Sequence, residues 1–123
     1  MTPARRTREP QSFLPLTHLT LHVLLALAEQ PAHGYAIVRE VERRSGGRVM
    51  PGTGSFYEVM QRLRSDGLIA EQRPEPGADA RRRSYALTAL GRAVLAAEAA
   101  RLESLVNETR QLGVLATPRG ARS

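Results

Sequence analysis

Between residues 51 and 69 apolar positions recur with the period of a helix, and glycines mark both limits. Phe56, Val59, Met60 and Leu63 fall on one side at about 100° per residue, after Gly52 and Gly54 and before Gly67. The opposite side carries Gly54, Glu58, Gln61 and Ser65, flanked by Tyr57, Arg62 and Arg64. Ser55 with Glu58 three positions on reads as a capping box, which places the first turn of this helix at Ser55.

Two helices are predicted upstream. The first spans 17–29 with Thr17 as cap, and Leu19, Leu21, Val23, Leu24, Leu25 and Leu27 cover more than one of its faces. So wide an apolar surface predicts burial on two sides, against the core and against a partner subunit. Residues 30–34 read as a turn. The second helix runs from Gly34 to Ser45-Gly46-Gly47, with Tyr35, Ile37, Val38 and Val41 inward and Arg39, Arg43 and Arg44 outward.

Downstream, 68–73 and 83–88 read as the strands of a hairpin, since the Pro- and Gly-rich stretch 74–80 can extend neither. A last helix is predicted over 89–112. Its Leu90, Val94 and Leu95 join the core together with Leu87, whereas Leu102, Leu105, Val106 and Leu112 form a second stripe that one small domain cannot bury. Leu95 with Leu102, and Leu105 with Leu112, repeat at seven, interrupted by Glu98 and Arg101, so irregular pairing with a second copy is expected.

Helix, turn, helix and hairpin in that order predict a mainly α fold with a small β-hairpin wing, a winged helix-turn-helix. The expected organisation is a basic disordered arm at 1–12, a DNA-binding domain at 13–88, a C-terminal dimerisation helix at 89–112 and a disordered tail at 113–123. The helix at 51–69 is then the recognition helix.

Composition sharpens the choice of partner. The net charge is +6 over 123 residues, which points to a polyanion, with duplex DNA ahead of an acidic membrane. That the eighteen Lys or Arg positions are all Arg suits phosphate contact but is read first as a genome-wide composition bias. The expected DNA contacts are Arg39, Arg43, Ser55, Tyr57, Glu58, Gln61, Arg62, Ser65, Arg81, Arg82 and Arg83. For the arginines of the second helix, and for the run Arg81-Arg82-Arg83, a solvated surface is the competing reading. The expected dimer contacts are Leu19, Val23, Leu95, Leu102, Leu105, Val106 and Leu112.

No membrane span, no cofactor and no metal are expected, and a cytoplasmic location follows as the default. His18 and His22 stand four apart, the spacing of a zinc pair, but there is no Cys and only one further His. Three scattered His and no Cys assemble no nucleophile, base and orienting group, so no enzyme is expected.

Taken together, four stretches resemble the PadR-type transcriptional regulators over residues 16–112. They are His33-Gly34-Tyr35, Gly54-Ser55-Phe56-Tyr57, Arg62-Leu63 with Asp66-Gly67-Leu68-Ile69, and Arg81 through Thr88 with Gly91-Arg92. The likeness is to the short subfamily, in which one C-terminal helix forms the dimer. It implies a homodimeric repressor that leaves its operator when a small molecule, often aromatic, binds. Ser55 and Tyr57 match family positions near the DNA backbone. The chain departs from the pattern in having no Trp, where family members often stack a flat effector. Two-fold symmetry predicts an inverted-repeat operator, and an effector is expected between the first and last helices of the dimer. The alternative left open is a winged-helix module that docks a protein without reading DNA sequence.

Overall fold

A computed structural model of the chain describes residues 8–72 and 83–117. Helix α1 (His18–Ala28) starts where the sequence predicts, with the Thr17 hydroxyl accepting the Thr20 N–H at 3.2 Å. After it, Ala32–His33 form a short strand, β1, rather than a simple turn. Two residues carry no readable periodicity, and their partner strand lies far along the chain. His33 also caps helix α2 (Gly34–Arg44), its Nδ1 accepting the Ala36 N–H at 3.4 Å.

Helix α3 (Thr53–Ser65) corrects the capping-box reading. It begins two residues before Ser55, its N-cap is Gly52, and no side chain closes its first turn. Phe56 is buried and its N–H donates to the Gly52 carbonyl at 2.9 Å, so docking of the ring draws Thr53, Gly54 and Ser55 into the helix against their weak propensity. The predicted stop holds. Gly67, at φ 79°, donates to the Arg64 carbonyl at 3.1 Å, and Leu68 donates to that of Leu63 at 2.9 Å, the paired closure that a left-handed glycine permits.

Strands β2 (Ile69–Gln72) and β3 (Ser84–Leu87) follow, pairing antiparallel with Ile69 opposite Leu87 and Gln72 opposite Ser84. The sheet order is β1-β3-β2, with Ala32 opposite Tyr85. The hairpin tip expected at 74–80, with Arg81 and Arg82, lies outside the described residues, as do residues 1–7 and 118–123.

Leu24, Leu27, Ile37, Val41, Phe56, Met60, Leu63, Leu68, Ile69 and Val94 make one core between the helices and the sheet. Val23 belongs to it and is 0% exposed, which corrects its assignment to a dimer surface. Helix α4 (Ala89–Gln111) enters this core at Gly91. A Cβ there would overlap the Leu68 carbonyl oxygen, so only glycine lets α4 approach the end of α3 so closely. Thr88 clamps the same junction. Its N–H donates to Leu68 at 3.1 Å, and its hydroxyl donates to Gly67 at 2.6 Å while accepting the Gly91 N–H at 3.0 Å.

Part of the expected disordered arm is ordered. Pro10–Phe13 form a 3-10 turn, the Arg8 guanidinium lies 3.9 Å from the centre of the Phe13 ring, and the turn packs on α4. Glu98, an interruption in the heptads, explains this docking. Its carboxylate is buried and accepts the Leu16 N–H at 2.7 Å and the Arg101 guanidinium. Arg101 above all, then the Leu16 amide, hold Glu98 below the ordinary carboxylate value, against the effect of burial. No helix among the described residues is long and apolar enough to cross a membrane.

Candidate nucleic-acid interface

The exposed side of α3 is continuous. Ser55, Tyr57, Glu58, Gln61, Arg62 and Ser65 all face solvent, because Phe56, Met60 and Leu63 turn the other side into the core. Gln61 stands at the centre, bordering a depression on either flank. On one flank it lies with Glu58, Arg62 and Ser65. On the other it joins Tyr57 and Arg64 in a groove that reaches Tyr35 on α2, Tyr85 on β3 and Arg83 just before that strand.

Electrostatics arrange the second flank. The Glu71 carboxylate on β2 binds Arg64 at 3.1 Å and Arg83 at 3.3 Å, so one anion holds two guanidinium groups at the same edge and leaves a net positive charge. Arg64 was not among the expected contacts. Its place on the helical wheel only borders the outward side, and the strand that fixes it cannot be seen in the helix pattern. Tyr35 was assigned inward, yet it is 68% exposed.

On α2, Arg39 lies 5.7 Å over the Tyr35 ring and continues the basic surface away from the groove. Arg43 is exposed but engaged, with its Nε and Nη2 donating to the Glu40 carboxylate at 3.1 and 2.9 Å. Arg44 donates to the same group at 3.0 Å. Glu40 is held down to about pKa 2, chiefly by the hydrogen bond from Arg43. Arg43 thus carries a carboxylate partner that a phosphate has to displace, unlike Arg39, which pairs with no carboxylate among the described residues. The predicted contacts Arg81 and Arg82 fall outside the described residues.

Of the expected dimer contacts, Leu19 and Leu95 are half-buried against the core and Leu102 is half-buried. Leu105 (46%), Val106 (38%) and Leu112 (74%) are exposed on the distal part of α4. His18 and His22 share no cluster suited to a metal among the described residues.

The sequence profile of the transcriptional regulator PadR-like family matches residues 23–97, from within α1 to within α4. The chain belongs to the PadR-like family. Transcriptional regulator Rv3488 of Mycobacterium tuberculosis is 40% identical over 89 residues, covering 72% of this chain and 78% of that protein. An uncharacterized 37.1 kDa protein in transposon TN4556 of Streptomyces fradiae is 42% identical over 112 residues, covering 82% of this chain but only 30% of that longer protein. Among solved structures, a PadR family transcription regulator of Clostridium difficile superimposes with a TM-score of 0.66 at 20% identity, covering 78% of this chain and 98% of that one. RosR of H. salinarum superimposes with a TM-score of 0.58 at 29% identity, covering 78% and 79%. Membership makes the chain a DNA-binding transcriptional regulator, of a family that regulates rather than catalyses.

Proposed function

We propose that the protein is a homodimeric, ligand-responsive repressor that binds an inverted-repeat operator on cytoplasmic duplex DNA, with α3 in the major groove. The observation that carries this reading is Gln61, central on an exposed polar helix side with basic groups at both flanks. Its amide offers a donor and an acceptor, which match an adenine edge. Glu58, free of the expected capping role, borders the opposite flank of Gln61 with Arg62 and Ser65. Ser55, Tyr57, Arg39 and the wing arginines Arg81, Arg82 and Arg83 meet phosphates, where charge counts more than base identity. Arg43 joins them by exchanging Glu40 for a phosphate.

Leu102, Leu105, Val106 and Leu112 support pairing with a second copy, since burying each Å² of apolar surface stabilises by about 25 cal/mol. Leu19 and Leu95 border that pairing. A two-fold dimer presents α3 twice, so half-site centres lie about 10 bp apart or a small multiple of that. An inducer acts by binding one arrangement of the paired α1 and α4 helices better than the other.

The test is selection from a random duplex pool by the purified full chain, followed by sequencing. An inverted repeat is the expected product. Asymmetric single sites overturn the dimeric geometry, and absence of salt-dependent duplex retention turns the reading toward a protein-docking module.

A further inference from the structure

The chain has five aromatic rings in all, three Tyr and two Phe. Four of them, Tyr35, Phe56, Tyr57 and Tyr85, line one groove beside α3 that also holds Arg64 and Arg83. Phe13, the fifth, is covered by Arg8. A core this poor in aromatics would gain most by burying its rings, yet Tyr35 is 68% and Tyr57 65% exposed. Tyr57 stands edge-on to the buried Phe56 ring, with centroids 5.8 Å apart at 65°.

An intact duplex makes limited use of this arrangement. It offers phosphates and base edges, while its base faces are stacked inside. Exposed rings beside guanidinium groups match an unstacked base with its phosphate attached. The groove has a volume of about 750 Å³, within the ~300–1,000 Å³ range of small-ligand sites. Arg64 and Arg83 share the single carboxylate of Glu71, so N–H donors and one net positive charge are left for a phosphate. His33 also lines the wall, its Nδ1 accepting the Ala36 N–H.

We propose that this groove is a binding site for one unstacked nucleotide, with the base against Tyr35 and Tyr57 and the phosphate on the Arg64–Arg83 pair. The same chemistry is presented by a free nucleoside monophosphate and by single-stranded DNA. Occupancy covers Tyr57, Gln61 and Arg64, so it excludes duplex DNA from α3; this last step rests on the repressor reading above, whereas the binding itself does not.

The chain supplies its own probe, for it has no Trp and all three Tyr line the groove. Tyrosine emission of the full-length protein is titrated with dAMP and with a thymidine octamer, the two arms that separate the sources. Adenosine and ribose 5-phosphate serve as controls. Saturable quenching by either nucleotide source is expected, with adenosine at least about tenfold weaker for want of phosphate and ribose 5-phosphate without effect. Tyr57→Ser and Arg83→Gln, both at exposed positions, each weaken binding about tenfold or more by calorimetry while circular dichroism stays unchanged. No saturable quenching by either source, or unaltered affinity in both variants, overturns the proposal. Duplex retention is measured in parallel. Nucleotide binding without duplex binding upholds the site and defeats the repressor reading, while duplex binding undiminished by saturating nucleotide defeats the exclusion step.

Discussion

Two surfaces of this protein are open to solvent, and they differ in whether apolar groups are among what they expose. Along α3 the exposed side chains are mainly Gln, Ser, Glu, Tyr and Arg; the distal part of α4, and the stretch just past its end, expose Leu105, Val106, Leu112, Val114 and Leu115 among polar groups such as Glu103, Asn107 and Glu108. Exposed polar side chains are ordinary on any helix, so the α3 surface acquires meaning only from its neighbours on β2 and β3. A run of exposed apolar groups is informative by itself, because water leaves it unsatisfied until another apolar surface covers it. The surfaces are linked where Thr88, the N-cap of α4, and Gly91 meet the Gly67-Leu68 end of α3.

The severest way to break the comparison is at that joint. Gly91→Ala forces a methyl group onto the Leu68 carbonyl, and a loss of more than about 3 kcal/mol is expected, read from the urea midpoint. Both surfaces should fail together, with DNA retention and self-association lost in the same preparation. Leu105→Arg removes one surface and spares the other. It should weaken self-association by about 100-fold or more with the fold intact, as followed by sedimentation. A wild-type chain that is already monomeric at micromolar concentration contradicts the pairing.

Two substitutions sharpen the comparison within the polar surface. Gln61→Ala should cost about 1–3 kcal/mol at one operator position and leave the salt dependence unchanged. Arg83→Ala should weaken cognate and scrambled duplexes alike and lower the slope of log K against log salt by ~0.9. The division of roles fails if the two effects are exchanged in a salt series.

The smallest effect is expected at Glu98, which ties the N-terminal segment to α4. Its folded-state pKa lies below the ordinary value near 4.5, so the stabilisation is complete above that value and is lost as pH falls through the lowered one. Glu98→Gln should cost about 1–2 kcal/mol at neutral pH, as the amide keeps one oxygen for the two donors, Leu16 N–H and Arg101, and loses the charge, and should flatten the acid limb of stability. Urea midpoints compared at neutral and acidic pH provide the check; an unchanged acid limb excludes the role.

Helical period and glycine punctuation determined α1, α2, the end of α3, α4 and the two wing strands, since each depends on neighbours within a few positions. Local chemistry also identified Thr17 as a cap and Leu105 and Leu112 as unburied. Long-range packing decided the rest. Ala32 and His33 became a strand because β3 supplies their partners, and α3 started at Thr53 because the core takes Phe56. Val23 went inside the protomer although it shares a helix with Leu19. Glu98 became a buried anchor because a backbone amide 82 positions away reaches it. The groove itself could not be read along the chain, for Tyr35, Tyr57 and Tyr85 sit on three elements that only the tertiary fold brings to one edge. Side-chain period reports which way a residue faces on its own element; which other element stands opposite is set by burial of the whole core at once.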